Sequence, residues 1–214
     1  MIAKEGRIIL IILLAFFFPF GIYAHASNLI ALHLLYYIFG SFYLFTVYFF
    51  RNPQRKIPND NSAVVSPADG KIVSIKTIND SDIGEFSQVI SIFLSLFDVH
   101  AFRYPHNGTV KSVNRKKGKF IAAFNDQASN QNERVVTVVE ADSFTYKVTQ
   151  IAGLIARRIL CYAVPNQLIK KGDRMGFIRF GSRADIVVPS NINICVNVGQ
   201  KVKAGESIIA RTQQ

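Results

Sequence analysis

The 214-residue chain carries 25 Lys and Arg against 14 Asp and Glu, for a formal net charge of +11, and half of its residues are apolar. That length holds one ordinary domain and something small beside it. The two cysteines, Cys161 and Cys195, lie in apolar runs without CxxC spacing, which argues against a zinc site and reads as small buried hydrophobes in a reducing compartment.

In chain order, the apolar content comes first. Residues 8–50 contain no Asp, Glu, Lys or Arg. The run 8–24 is broken by Pro19, and 29–50 is a second run. A helix needs about 20 apolar residues to cross the hydrocarbon core, so the second run suffices and the first is marginal. Only His25-Ala26-Ser27-Asn28 separates them, which predicts a helical hairpin with His25 and His33 as interfacial or packing residues. Lys4 and Arg7 precede the hairpin, and Arg51, Arg55 and Lys56 follow it. By the positive-inside rule both flanks lie in the cytoplasm, which places the chain at the inner (cytoplasmic) membrane with its remaining domain on the cytoplasmic face. Ala24-His25-Ala26 resembles a signal-peptidase site, but cleavage there would leave the second run as an anchor and the domain on the same side. The expected organisation is a membrane anchor over 1–50 and a domain over 51–214. A basic domain at a bilayer is drawn to anionic lipids by about 1 kcal/mol per residue near the surface, so nucleic acid is the weaker explanation of the charge.

After residue 51 the pattern changes to short alternating or β-branched runs between turn signals. Strands are predicted over 63–66, 70–78, 88–93, 108–114, 134–140, 144–151, 157–162, 176–180, 185–188 and 193–196. Pro-Ala-Asp-Gly, Pro-His-Asn-Gly, Lys-Lys-Gly-Asp and Val-Gly-Gln-Lys supply the turns between them. No long amphipathic helix is expected beyond residue 56. A weak repeat relates 169–176 to 198–205, as in the hairpins of lipoyl and biotinyl carriers. The predicted fold class is mainly β, a barrel-sandwich-hybrid-like domain behind an N-terminal transmembrane helical hairpin.

Three segments carry chemistry: Ser66-Pro67-Ala68-Asp69-Gly70, Phe97-Asp98-Val99-His100 and Arg179-Phe180-Gly181-Ser182-Arg183. Singly, each has a plainer explanation as a β-turn, a structural histidine or a Gly-Ser turn. Together they place a hydroxyl, an imidazole and a carboxylate in one short chain. A serine hydroxyl is a weak nucleophile near neutral pH and needs a base. A histidine suits that task, and a carboxylate can orient it. Gly181 adds an unobstructed carbonyl on a residue that tolerates unusual φ/ψ.

These segments resemble the short form of the phosphatidylserine decarboxylase family. The resemblance runs from Phe49 to Ala210 and includes Phe49-Phe50-Arg51-Asn52-Pro53, Ala152-Gly153-Leu154-Ile155-Ala156-Arg157-Arg158-Ile159 and Gly176-Phe177-Ile178-Arg179-Phe180-Gly181-Ser182-Arg183. It implies a proenzyme that cuts itself between Gly181 and Ser182, with Asp69, His100 and Ser182 as a catalytic triad. Ser182 would become a covalent pyruvoyl group, the electron sink for decarboxylation of phosphatidylserine to phosphatidylethanolamine, with no metal. The two cleaved chains, 1–181 and 182–214, would stay together. Arg51, Arg55, Lys56 and the cluster Arg115, Lys116, Lys117 and Lys119 would meet anionic membrane lipids, and homo-oligomerisation is left open. Two other readings compete: a membrane-tethered carrier or adaptor without activity, and a zinc peptidase. The first lacks a Met-Lys-Met or Asp-Lys-Ala tip, and the second has only His100 and His106 in the domain.

Overall fold

The computed structural model describes residues 1–121, 128–154, 158–179 and 181–212. Two compact units divide at Gln54 and Arg55. The first consists of α1 (Lys4–Ala26) and α2 (Ile30–Phe49), both long and apolar enough to cross a bilayer. Small residues set their approach: a Cβ on Gly21 would lie 2.8 Å from the Tyr36 ring. Phe17 stacks on Tyr36 with ring centroids 4.6 Å apart, and His25 packs near His33 at 5.3 Å. Ile8, Phe16, Phe18, Ile22, Tyr37 and Ile38 lie on the outer surface of the pair.

The second unit is built from strands β1 (Ala63–Val65), β2 (Gly70–Asp80), β3 (Gly84–Leu94), β4 (Ala101–Arg103), β5 (Gly108–Lys116), β6 (Arg134–Glu140), β7 (Thr145–Ala152), β8 (Ile159–Cys161), β9 (Leu168–Ile169), β10 (Arg174–Ile178), β11 (Ser182–Val188), β12 (Asn193–Ile194), β13 (Lys201–Val202) and β14 (Ile208–Arg211). Its one described helix, α3 (Ala128–Gln131), is a single turn. Eight strands form an antiparallel sheet, curled into a half-barrel, in the order β13-β2-β3-β11-β7-β6-β5-β9. Two three-stranded sheets, β1-β14-β12 and β4-β10-β8, complete the unit. The core gathers Ile72, Ile92, Leu94, Tyr146, Val148 and Ile186. The mainly β architecture with two apolar N-terminal helices is the predicted one.

Most expected strands are present, 134–140 with the same limits. The strand expected over 185–188 begins at Ser182, because pairing with β3 and β7 on both sides extends it beyond its apolar run. The strands β4, β9, β13 and β14 were not expected. Three have only two or three residues, too few to show a period, and exist because a partner strand supplies hydrogen bonds. Residue 157, where one strand was expected to begin, and residue 180, where another was expected to end, lie outside the described residues. Both cysteines are free, but Cys195 is exposed, contrary to the expected burial. Strand alternation explains this: Ile192 and Val196 turn inward and Cys195 outward.

Candidate active site

A tight turn presents His100. After β3 ends at Leu94, the Asp98 carboxylate accepts hydrogen bonds from the Ser95 amide (2.8 Å) and the Ser95 hydroxyl (2.7 Å). His100 is fully buried, and its carbonyl accepts from the Ile178 amide of β10 at 3.2 Å. Nδ1 lies 2.9 Å from the Asp98 carbonyl, while Nε2 accepts the Gly181 N–H at 3.2 Å. A carbonyl can only accept and an amide N–H can only donate, so these partners assign the proton to Nδ1 and the lone pair to Nε2. The lone pair faces the connection between β10 and β11.

Gly181 occupies the left-handed region with φ +64. A Cβ there would meet nothing within 4 Å, so glycine is required by conformation and not by space. Ser182 opens β11, paired with Leu94 on one side and Ala152 on the other. The residue is fully buried, and its Oγ has no hydrogen-bond partner among the described residues. Burying a hydroxyl without a partner costs about 1–3 kcal/mol, a cost seldom carried without a use.

The following residue points to the other face of the sheet. Arg183 Nε donates to Asp185 at 2.9 Å and Nη2 to the Ser91 hydroxyl at 2.7 Å, while the Ser129 hydroxyl donates to Asp185 at 2.6 Å. This buried group gave no signal in the sequence beyond the alternation of β11. It lines a polar cleft of about 390 Å³ that does not include Ser182.

Asp69 is held differently. Its turn is pinned by the Ser66 hydroxyl on the Ala68 carbonyl (2.7 Å) and by the Arg103 amide on the Pro67 carbonyl (2.9 Å). Arg55 Nη2 donates to both carboxylate oxygens at 2.8 Å, and the Ala204 amide donates to Oδ1 at 2.8 Å. The Arg103 guanidinium is held below the usual arginine range by burial and then by the charges of Arg174 and Arg55, with Asp69 opposing them. Asp69 is thus the counter-charge of an arginine cluster. The structure brings His100, Gly181 and Ser182 together, whereas the imidazole's Nδ1 partner is the Asp98 carbonyl and not the Asp69 carboxylate. Arg55 was expected to meet anionic lipid; instead its side chain is only 6% exposed and paired with Asp69.

His106 is structural: its Nε2 lies 2.8 Å from the Asn61 carbonyl, and its own carbonyl accepts from the Tyr146 hydroxyl at 2.7 Å. Among the described residues no group of three His, Cys, Asp or Glu side chains is placed to hold a metal ion.

The family model for phosphatidylserine decarboxylase matches residues 42–210. A phosphatidylserine decarboxylase proenzyme of Chlorobium chlorochromatii is 44% identical over 170 residues, covering 79% of this chain and 80% of the relative. One from Wolbachia sp. subsp. Brugia malayi is 47% identical, covering 78% and 75%. A third, from Geobacter metallireducens, is 42% identical, covering 86% and 84%. With a matching family model over most of its length and relatives well above 30% identity, this chain belongs to the phosphatidylserine decarboxylase family.

Proposed function

We infer that this chain cuts itself between Gly181 and Ser182 and then decarboxylates phosphatidylserine to phosphatidylethanolamine. One observation carries the site assignment: Nε2 of a buried imidazole accepts the Gly181 amide, next to a buried serine hydroxyl with no hydrogen-bond partner among the described residues.

In this reading His100 takes the Ser182 hydroxyl proton after a small shift of its lone pair from the Gly181 N–H. The oxygen adds to the Gly181 carbonyl, and the C–N bond breaks as the nitrogen regains a proton, leaving an ester. Removal of the Ser182 α-proton expels the Gly181 carboxylate. The enamine left on residue 182 takes up water, releases ammonia and becomes a pyruvoyl group. The site fits that precursor, since Oγ has no hydrogen-bond partner among the described residues and the preceding residue has no side chain. The pyruvoyl group supplies the electron sink for loss of CO₂. His100, whose Nε2 lies 3.2 Å from the Gly181 amide, would be the residue that returns a proton to the product carbon. Asp69 acts from the neighbouring arginine cluster, holding the turn against which β4 and His100 are aligned.

The products are residues 1–181 and 182–214. They stay associated because β11, in the small chain, lies between β3 and β7 of the large one. The helices α1 and α2 serve as the membrane anchor, with the β domain on the cytoplasmic face. A diacyl lipid leaves a bilayer only at about 0.8 kcal/mol per CH₂, so an enzyme acting on its headgroup works at the interface.

Intact-mass spectrometry tests the assignment. Two fragments are expected, the smaller starting at residue 182 with a ketone in place of its α-amine. Ser182→Ala should leave one 24.0 kDa chain. Continued cutting at that bond would remove the proposal.

A further inference from the structure

The eight-stranded sheet has two unlike ends. Antiparallel pairing places Leu94, Ser182 and Ala152 in one row, with Arg134 opposite Ile151 and Lys116 opposite Arg134 in the strands that follow. Lys71, opposite Phe93, belongs to the same end. Exposed Lys71, Lys116, Lys117, Lys119 and Arg158 make this end strongly basic. Three acidic side chains there are already used: Glu133 pairs with Arg115 at 2.8 Å, Asp98 caps Ser95, and Asp69 pairs with Arg55.

The other end carries more acidic than basic side chains, although exposed Lys111 and Lys170 also lie there. The β2–β3 hairpin carries Asp80, Asp82 and Glu85, and the β6–β7 hairpin carries Glu140 and Asp142. Lys147 pairs with Asp80 and Asp82, leaving Glu85, Glu140 and Asp142 exposed. Along β3 the two ends are separated by about 35 Å, from a rise of about 3.4 Å per residue.

Apolar side chains complete the asymmetry. Phe97, three residues past Leu94, is 65% exposed, and Leu154, two past Ala152, is 64% exposed. Large exposed apolar residues at the same end of the sheet as exposed cations and the nucleophile have the composition of a surface made for lipid headgroups. We propose that the Ser182 end of the sheet is the face that the β domain lays on an anionic phospholipid bilayer. Phe97 and Leu154 enter the headgroup–acyl boundary, the basic residues meet lipid phosphates, and the acidic hairpins point away into water. The proposal rests on the reading that the substrate is a membrane lipid.

The chain has no tryptophan, which makes single introduced ones clean reporters. Phe97→Trp, Leu154→Trp and Phe86→Trp would each be made in the full chain and reconstituted into phosphatidylglycerol–phosphatidylcholine vesicles, with and without bromine on the acyl chains. Phe86 is the control: equally exposed at 66%, but in the acidic hairpin. Bromolipid should quench the reporters at 97 and 154 about threefold more strongly than at 86, as contact with acyl chains requires. Equal quenching at all three positions, or stronger quenching at 86, overturns the proposal. So does a blue shift at 97 and 154 that ignores bromine, since a second protein would then cover the face. Either reporter alone suffices if the other variant fails to fold. Decarboxylation of phosphatidylserine is followed in parallel in the unsubstituted chain. Its absence together with selective quenching would remove the function but keep the bilayer face; its presence without selective quenching would remove only the face.

Discussion

The Ser182 corner and the Asp69 corner treat their polar groups in opposite ways. At Ser182 the hydroxyl is buried with no hydrogen-bond partner among the described residues, the preceding glycine sits at positive φ, and the nearby imidazole accepts the Gly181 amide at Nε2. At Asp69 the carboxylate is saturated by Arg55 and the Ala204 amide, inside a cluster of guanidiniums that needs its charge. An unspent group beside a base is ready to react, whereas a saturated one holds its neighbours in place. The comparison separates a reacting corner from a positioning corner within one proposed triad.

Four substitutions break or sharpen that division. His100→Gln keeps an acceptor for the Gly181 amide but cannot take a proton, so self-cleavage should slow by roughly 10²–10⁴ while thermal unfolding changes little. Time-resolved denaturing electrophoresis reads the rate. Asp69→Ala removes the bidentate partner of the buried Arg55 guanidinium and leaves it only the longer contact with Glu206 at 3.5 Å, so it should destabilise the fold by up to about 3 kcal/mol in denaturant titration of the uncleavable Ser182→Ala background. Should Asp69→Asn instead slow cleavage as severely as His100→Gln with no loss of stability, the carboxylate acts on the reaction and the division collapses. Gly181→Ala meets no clash but must enter the left-handed region, at about 1–2 kcal/mol. Relaxation of that turn should withdraw the amide from Nε2 and delay cleavage by about tenfold, the rate equivalent of that strain.

The smallest effect belongs to Asp60, a surface carboxylate that contrasts with Asp69. Hydrogen bonds from the Ser62 hydroxyl, then from Arg211 and the Ser62 amide, hold it at about 2, below its ordinary 3.8. Because the folded value is depressed, its contribution to stability is complete above 3.8 and is lost as pH falls through about 2. The stability gap between the parent chain and Asp60→Asn should therefore narrow across that window in acid unfolding curves. A constant gap would mean that the Ser62 and Arg211 bonds contribute nothing linked to the proton.

Much of this protein was legible in the sequence because local patterns carried it. The uncharged stretch 8–50 could only be apolar helix, and β-branched runs between Gly and Pro turns could only be short strands. Gly181-Ser182 and His100 were found as residue types whose chemistry needs each other. Tertiary structure alone decided the rest. Arg55 looks like a surface cation in the sequence, yet folding buries it against Asp69, fourteen residues away. The imidazole proton was assigned by the carbonyl of Asp98 and the amide of Gly181, backbone groups with no sequence signature. Strands of two or three residues formed only because partners were present to accept their hydrogen bonds. The charged ends of the sheet likewise arise from register, which brings residues 71, 116 and 182 to one end. Periodicity and residue chemistry are local, but hydrogen-bond satisfaction and charge placement depend on which distant segments meet.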